Sequence, residues 1–387
     1  MSKKFIKQCT RCVMDDASDS FISFDKDGHC NYCNHAKHKV ETILKDPNKE
    51  LKLKNLINSI KEEGKGKEFD CLMGISGGLD SAYLAYLGAT KWGLRICAVH
   101  IDDGFDTELA KQNIENLCKY CGINLIVIKP NERQFLDLTS AFIRAEVPNI
   151  AIPQDNILFA MLYKFAKQHK IRHFLSGSNI ALESIIQKGN THSNLDSYHI
   201  KQINRKFGKG PIDKLPLLSL YEARFLNFLG RIKTSSPLNY IDYNKFNAIE
   251  ELSNKCGFKY YEAKHLENTL TKVIQLKWFV EKFNVDKRKS HLSSLIISGQ
   301  MSREEALTEL AKPMYNNESM KEDVAFVLSK LAITEEEFEV LLKKEGKQHT
   351  DYPTSRILKI HLWLYKKLYY PVVKKIRKSN KNAGSCQ

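Results

Sequence analysis

The sequence lacks the segments that would carry a protein into or across a membrane. Its 387 residues contain no apolar run of about 18 residues, the length that a membrane-spanning helix needs. No apolar signal core follows the first four residues, and the chain has no internal repeat or low-complexity tract. We therefore expect a cytoplasmic protein without a membrane span.

Two common nucleotide-binding motifs are also missing. The string GxxxxGK[ST] does not occur, and no GxGxxG follows a predicted strand, which excludes the usual P-loop and dinucleotide fingerprints. The chain also has no recognisable glutaminase triad and no recognisable RNA-binding module. Any nucleotide chemistry must therefore depend on another motif.

The composition is that of a basic protein with a sizeable core. Hydrophobic residues make up 42% of the chain, its net charge is +15 and its isoelectric point lies near 9.2. A chain of this length can form two or three domains. The positive charge favours anionic partners such as nucleotides, acidic sugars or RNA, and charge alone does not choose among them.

Four of the ten cysteines form two CxxC pairs near the N-terminus, Cys9 with Cys12 and Cys30 with Cys33. Two such knuckles can surround a metal ion with four thiolates, and closed four-thiolate sites are usually structural. We predict a zinc ribbon over residues 1–40 with Zn²⁺ bound by these cysteines. An iron–sulfur cluster and unrelated buried cysteines are the alternatives. A connector helix is predicted over residues 41–68.

The string Ser76-Gly77-Gly78-Leu79-Asp80-Ser81 follows an apolar run and precedes a helical pattern. Two glycines allow a sharp strand-to-helix turn whose amides, with the helix dipole, favour an anion. The hydroxyls of Ser76 and Ser81 add donors, and Asp80 can hold Mg²⁺ or orient a water. The string resembles the pyrophosphate loop (PP-loop) of the ATP pyrophosphatases, which implies ATP as cofactor; a capped turn without a ligand is the alternative.

From residue 69 onward, apolar runs alternate with amphipathic helices, which predicts an α/β domain with a doubly wound parallel sheet over residues 69–235. Strands are expected near residues 69–75, 95–101, 124–129 and 173–176. Ligands bind at the carboxyl ends of such strands, which adds His100, Asp102, Gly177 and Ser178 to the expected nucleotide site. A mainly helical region is predicted over residues 236–387.

Cations are dense within residues 260–295, where Lys264, His265, Arg288 and His291 suit a carboxylate or phosphate on a substrate. Solvent-facing basic residues are the alternative. A third CxxC, Cys118 with Cys121, lies at the end of a predicted helix. A buried, unreactive pair is favoured over a sulfur-transferring one, because free cysteine commonly behaves as a small hydrophobe.

Taken together, four stretches resemble the bacterial N-acetyl sugar amidotransferases of lipopolysaccharide O-antigen and nonulosonic (pseudaminic or legionaminic) acid biosynthesis. They are the first CxxC with Val13-Met14-Asp15, the SGGLDS loop, the turn 100–104, and residues 283–303 with Asp286-Lys287-Arg288. The resemblance covers about residues 5–310, and the remaining C-terminal segment looks individual to this chain.

The resemblance implies a reaction in which an acetamido group becomes an acetamidino group. ATP adenylates the amide oxygen, pyrophosphate leaves, and ammonia then displaces AMP. It implies Asp80 and Ser81 as catalytic residues, Mg²⁺ with the ATP, an anionic acetamido sugar, free or nucleotide-linked, and a separate glutaminase subunit that supplies ammonia. The alternative is a tRNA-modifying enzyme, a thiolase or lysidine-type ligase, with the same loop; the missing RNA-binding module argues against a nucleic-acid partner.

Overall fold

The computed structural model describes residues 6–17, 19–228, 232–261 and 266–356. Its centre is a five-stranded parallel sheet of β1 (Cys71–Gly74), β2 (Ile96–Ile101), β3 (Leu125–Ile128), β4 (His173–Leu175) and β5 (Lys233–Ser235). The strand order is β3-β2-β1-β4-β5, so the chain reverses its direction of travel across the sheet beside β1. This order confirms the doubly wound parallel sheet expected from the sequence, and it opens a crevice at the carboxyl ends of β1 and β4.

Helices surround the sheet and form most of the region that follows it. Within the described ranges the α-helices are α1 (Asn31–Lys39), α2 (Lys49–Gly64), α3 (Leu79–Tyr86), α4 (Glu108–Cys121), α5 (Glu132–Arg144), α6 (Ile152–Gln168), α7 (Ile180–Glu183), α8 (Ser197–Phe207), α9 (Leu220–Phe228), α10 (Lys245–Cys256), α11 (Thr269–Val273), α12 (Arg288–Ile297), α13 (Arg303–Ala311), α14 (Asn317–Leu331) and α15 (Glu335–Lys343). The π-helical segments Val40–Leu44, Leu87–Lys91 and Ile274–Lys282 extend α1, α3 and α11. None of the described helices is long and apolar enough to cross a membrane.

The inner strands β1, β2 and β4 are buried because helices cover both faces of the sheet there. Met73 of β1 packs in one cluster with α3, α4 and α10, whereas its neighbour Leu72 packs on the other face with Leu162 and Phe165 of α6. Alternation along a strand sends successive side chains to opposite faces. The sheet is therefore buried in the middle of the domain, and its carboxyl edge is the part left open.

The helical region after the sheet packs against α5 and α8 and closes one side of this edge. Trp278 is fully buried in a cluster with Phe338 of α15 and Phe142 of α5, and its indole N–H donates to Val147 O at 2.9 Å. A capping box begins α13, where Ser302 and Glu305 bond to each other's backbone amides. The last part of the predicted helical region, residues 357–387, lies outside the described residues.

Candidate functional site

The loop 76–81 leads from β1 into α3 at the carboxyl edge of the sheet. Gly77 adopts φ +81°, and a Cβ there would lie 2.8 Å from the Ala110 carbonyl oxygen, so a side chain would not fit. Gly78 is the N-cap of α3 and brings no side chain to its first-turn amides. The hydroxyls of Ser76 and Ser81 lie 3.4 Å apart. The turn thus presents amides, hydroxyls and a helix N-terminus to one space.

Two tyrosines that the sequence analysis did not single out hold this loop in place. The Tyr261 hydroxyl donates to the Gly77 carbonyl at 3.0 Å and accepts from the Asn113 amide at 3.0 Å. The Tyr243 hydroxyl donates to Asp80 Oδ1 at 2.5 Å. Burial and the Asp80 charge raise the pKa of Tyr243 well above its usual range, so its proton remains on the hydroxyl. No sequence motif predicts the role of these tyrosines, because each contacts the loop from a distant part of the chain.

A second loop, from Ser176 to Ser178, lies directly against the first. A Cβ on Gly177 would come within 2.9 Å of the Ser81 amide nitrogen, which is backbone contact. The Ser178 hydroxyl lies 2.9 Å from that of Ser236 and accepts from that of Ser176 at 3.1 Å. The structure therefore brings Gly177 and Ser178 to the predicted nucleotide loop.

His100 supports the start of the same loop. Its Nδ1 donates to Ile75 O at 2.7 Å and its Nε2 lies 2.9 Å from Asp106 Oδ2. Burial lowers the pKa of His100, but the hydrogen bond to Asp106 and its charge outweigh burial, so the net shift is upward. The imidazolium is therefore favoured, and it bridges the end of β2 to the loop after β1.

The two aspartates that follow β2 face different surroundings. Asp102 forms an ion pair with Lys129 at 2.9 Å and accepts from Gly104 N, and it is not part of the cavity lining. Asp103 lines the cavity instead and accepts from the amides of Gln154 and Asn268 at 2.5 and 3.0 Å. Burial, with a smaller effect of the Asp106 charge, raises the pKa of Asp103 to about 6.

These loops surround a cavity of about 530 Å³ at the carboxyl edge of the sheet. Its apolar part is made by α6 and the strands, and its polar part carries more carboxylates than cations. The charged and imidazole side chains that line it are Asp80, Asp103, Asp106, Asp155, Glu183, Glu267, His100, Lys245, Lys287 and His291. The volume and the mixture of apolar wall and convergent polar groups are typical of a small-molecule site.

Of the four residues expected to bind the substrate, His291 lines this cavity. Lys264 and His265 lie outside the described residues. The structure places Arg288 away from the lining: its guanidinium contacts Asp286 at 2.9 Å and the carbonyl oxygens of Leu310 and Lys312 at 3.3 and 3.1 Å. Arg288 therefore joins α12 to the end of α13.

The neighbouring Lys287 is the residue that faces the cavity. Its ammonium group lies 4.8 Å from the centre of the Phe279 ring. Burial lowers its pKa to about 8, and the charge of Asp19 opposes that shift. A buried ammonium group with this environment gains most from an anion that enters with the ligand.

The four N-terminal cysteines are fully buried and their sulfur atoms lie within 4.8 Å of one another. The Cys9–Cys33 and Cys12–Cys30 sulfur distances are both 3.7 Å. Four sulfurs at the Zn–S distance of about 2.3 Å in a tetrahedron are separated by roughly 3.8 Å, so the set fits such an ion. Backbone amides donate to Cys9 Sγ from Arg11 and Cys30 at 3.4 and 3.2 Å, which favours thiolate.

The segment that carries the four cysteines, residues 6–39 and here called the cysteine module, packs against α12 and α13. Val13 N donates to Ser293 Oγ at 3.2 Å, and the Arg303 guanidinium donates to the carbonyl oxygens of Cys9 and Cys12 at 3.2 and 3.3 Å. Lys289 pairs with Asp15 at 2.5 Å. The module thus supports the helix whose N-terminus borders the cavity.

In the third CxxC pair, Cys118 is buried and Cys121 is half-buried. Burial raises the pKa of Cys118 to about 11 and, with the nearby Cys256 and Cys118 thiols, that of Cys121 to about 12. Both thiols are therefore protonated at neutral pH, and a protonated thiol is a poor nucleophile. The geometry agrees with the interpretation as an unreactive pair.

Comparison with known proteins identifies the C-terminal part of the chain. Residues 267–369 match the family described as LPS biosynthesis protein WbpG-like, C-terminal domain. The resemblance to lipopolysaccharide-biosynthesis proteins is thereby confirmed for these residues. The match also corrects one expectation, because the segment after residue 310 is shared with that family up to residue 369 rather than individual to this chain.

Two relatives match at the level of sequence. An uncharacterized protein from Methanocaldococcus jannaschii is 21% identical over 320 residues, which cover 81% of this chain and 97% of that protein. A glutamine-hydrolyzing GMP synthase from Chlamydia caviae is 37% identical over 105 residues, 26% of this chain and 18% of the relative. The second match is therefore confined to a small part of each protein.

Three solved structures are distant likenesses. An NMN synthetase from Francisella tularensis is 19% identical, with 54% of this chain and 94% of that chain covered and a TM-score of 0.28. An NH3-dependent NAD synthetase from Campylobacter jejuni is 17% identical, with 70% and 99% covered and a TM-score of 0.30. A U34-tRNA thiolase from Methanococcus maripaludis, with its [4Fe-4S] cluster, is 16% identical, with 80% and 90% covered and a TM-score of 0.31.

Proposed function

We propose that this chain, whose residues 267–369 match the WbpG-like C-terminal domain of lipopolysaccharide-biosynthesis proteins, is an ATP-dependent sugar amidotransferase. It converts an acetamido group of a bacterial surface sugar into an acetamidino group and forms AMP and pyrophosphate. One observation carries the proposal: the cavity has the loop 76–81 on one side and the WbpG-like region, through Asn268, Thr271, Lys287 and His291, on the other. An ATP loop and a sugar-biosynthesis domain thus border one space.

In the first half-reaction the amide oxygen attacks the α-phosphate of ATP, and the bond to pyrophosphate breaks. The amides of the loop 76–81 and the N-terminus of α3 bind the leaving phosphates and stabilise their charge. Asp80 would hold Mg²⁺, which would neutralise charge on the phosphates, and the hydrogen bond from Tyr243 fixes the orientation of the Asp80 carboxylate. Ser81 contributes its hydroxyl to the same phosphates.

The second half-reaction replaces oxygen by nitrogen. Ammonia forms a bond to the imidate carbon, and the carbon–oxygen bond breaks with its electron pair passing to AMP. A separate glutaminase subunit supplies the ammonia. The acidic group of the sugar lies at Lys287 and His291, because the Lys287 ammonium group is influenced by the charge of Asp19 but forms no ion pair with any described residue.

Zinc is the metal that we propose for the four cysteines. Their burial, sulfur spacing and amide hydrogen bonds suit a closed structural site, which supplies stability rather than chemistry. A [4Fe-4S] cluster is the alternative occupant, and metal analysis with an absorption spectrum recorded under anaerobic conditions separates the two.

The test is to incubate the purified chain with ATP, Mg²⁺, ammonium and candidate acidic acetamido sugars, and to follow products by mass spectrometry. A mass change equal to replacement of O by NH, with one AMP per product, is expected. Asp80→Ala is expected to lose pyrophosphate release at least about 100-fold while it retains its metal content. Turnover retained by Asp80→Ala contradicts the loop assignment, and ATP cleavage on addition of bulk tRNA, without any sugar product, favours the tRNA-modifying alternative.

A further inference from the structure

Asp155 is a carboxylate in the cavity to which the reaction outlined above gives no task. It lies in the first turns of α6 and borders the cavity. Among the described residues its side chain has no hydrogen-bond or ion-pair partner. Three of the other cavity acids differ: Asp80 accepts from Tyr243, Asp103 from two amides, and Asp106 from His100.

The surroundings of Asp155 are apolar and aromatic. Leu158, Phe159 and Leu162 follow it at helical spacings of three, four and seven residues, so they share its face of α6, and all of them line the cavity. The Phe159 ring stands edge-to-face with that of Phe174, with 6.4 Å between centroids. A carboxylate beside aromatic rings provides the two kinds of attraction that bind a small organic cation or ammonium.

Among the described residues no charged neighbour compensates this carboxylate. The residue is exposed to the cavity, and the protein atoms packed around the cavity raise its pKa to about 6. The charged groups on the other lining elements leave that pKa unperturbed; they are Asp80, Asp103, Asp106, Glu183, Glu267, His100, Lys245, Lys287 and His291. An exposed carboxylate without an ion-pair partner in the cavity is accessible to a cation that enters with the ligand.

A single carboxylate with apolar walls suits a monovalent ion better than Mg²⁺. Magnesium keeps several waters and prefers several oxygen ligands, which Leu158, Phe159 and Leu162 do not offer. Ammonium carries one charge and four N–H donors. We propose that Asp155 binds ammonium in the cavity and accepts its proton, which makes it a catalytic residue of the second half-reaction; the inference rests on the amidotransferase function proposed above.

The proton transfer balances without a further reactant. One N–H bond of ammonium breaks and an O–H bond forms on Asp155, which leaves neutral ammonia with a free electron pair. That pair forms the new bond to the imidate carbon, and AMP departs with the electrons of the carbon–oxygen bond. Asp155 then returns its proton to water before the next turnover. A group with a pKa near neutrality serves such a transfer well in both directions.

The experiment compares Asp155→Asn with the unsubstituted chain in three assays. The first is sugar-dependent exchange of labelled pyrophosphate into ATP, which reports adenylation alone. The second is product formation with ammonium chloride, and the third is product formation with hydroxylamine, which is uncharged at neutral pH. For Asp155→Asn we expect unchanged exchange, a loss of about 100-fold with ammonium, and activity within a few-fold with hydroxylamine. The ammonium defect is expected to shrink at alkaline pH, where free ammonia is abundant.

Asp155→Glu provides the conservative control, since it keeps a carboxylate on the same face of α6 and should recover part of the ammonium activity even if Asp155→Asn folds poorly. Equal losses with ammonium and hydroxylamine, or loss of pyrophosphate exchange, would overturn the inference and assign Asp155 to substrate or ATP binding. Unchanged ammonium activity would overturn it too. Absence of exchange in the unsubstituted chain instead refutes the amidotransferase proposal itself, and this inference with it.

Discussion

Lys287 and Arg288, adjacent residues at the N-terminus of α12, point in different directions and make different contacts. Lys287 faces the cavity with its ammonium group over the Phe279 ring. Arg288 faces the protein, where it contacts Asp286 and the last carbonyls of α13. Successive residues of a helix point about 100° apart, so two neighbouring cations separate into a ligand-facing and a structural group.

Separate substitutions of Lys287 and Arg288 should therefore have different effects, one on substrate binding and the other on thermal stability. Lys287→Met is expected to raise KM for the acidic sugar about 10-fold or more, because an ion-paired hydrogen bond contributes about 1.5–3 kcal/mol, and to leave KM for ATP unchanged. Arg288→Lys is expected to leave both KM values unchanged and to lower Tm by about 2–4 °C. Steady-state kinetics and thermal unfolding check both, and equal KM for the sugar in Lys287→Met contradicts the assignment.

At this scale the sequence could locate the loop 76–81 and the two N-terminal CxxC pairs, because such short motifs are typical of few kinds of site. It places Asp102 in the nucleotide site, whereas Asp103 is the residue that lines the cavity and Asp102 pairs with Lys129, an orientation that depends on the folded turn. The choice between Arg288 and Lys287 depends on helix rotation in the same way. Tyr243 and Tyr261 reach the loop only through tertiary packing.

At the scale of elements, the cysteine module and α12 form one unit. The module contacts α12 and α13 through Val13, Asp15 and Arg303, and α12 leads to the cavity at Lys287. Loss of the proposed metal should therefore destabilise the part of the cavity wall at the N-terminus of α12 as well as the module itself.

Cys30→Ser is expected to lose bound zinc, to lower Tm by roughly 5–10 °C and to raise KM for the sugar more than KM for ATP. Inductively coupled plasma mass spectrometry and thermal unfolding measure the first two effects. Cys118→Ser is the matched control, because Cys118 lies in α4 and does not belong to the four-cysteine set. This substitution should leave the zinc content intact. Full zinc content in Cys30→Ser would contradict the four-cysteine assignment.

The first four strands could be predicted because each lies within an apolar run between helical patterns. The fifth, Lys233–Ser235, could not, since three polar residues form a strand there only by pairing with β4. The predicted helix over residues 41–68 is interrupted after Leu44 and resumes at Lys49, next to Pro47. Edge pairing and helix breaks of this kind depend on the neighbours that the chain meets after folding.

At the scale of the whole molecule, a histidine cluster joins the C-terminal segment to the domain. Asn149 N donates to His349 Nε2 at 3.3 Å, and the other ring nitrogen of His349 lies 3.1 Å from His199 Nε2. His199 Nδ1 donates to Pro353 O at 3.1 Å. Both rings are therefore neutral here, and a further proton on either would break one of these bonds.

Burial, with the charges of neighbouring histidines, lowers the pKa of His349 well below its ordinary value, and burial also lowers that of His199. A depressed pKa stabilises the fold above the unfolded value of about 6.5, and this contribution is lost as pH falls below it, by up to about 1.4 kcal/mol per histidine and pH unit. Asp103 and Asp155 act in the opposite direction, because their raised pKa values favour the fold at acid pH.

His349→Gln isolates the histidine effect, since an amide can replace both ring hydrogen bonds without titrating near neutrality. Thermal unfolding between pH 7.5 and 5.5 is expected to show a smaller loss of Tm in this variant than in the unsubstituted chain, by roughly 3–6 °C at pH 5.5. His29→Gln, on the cysteine module and away from the cluster, serves as control. Parallel pH profiles for His349→Gln and the unsubstituted chain would refute the account.

The contact between Val13 and Ser293 joins residues that are 280 positions apart in the sequence. The contacts of Arg303 with Cys9 and Cys12 span an even larger separation in sequence. A ribosome that adds 5–20 residues per second needs roughly 15–55 s to make the chain between them. During this interval the cysteine module has already left the ribosome and its docking surface has not yet been made. On the zinc assignment proposed above, the metal alone has to hold the module together during this interval, so we expect zinc scarcity to act first on newly made chains rather than on finished molecules.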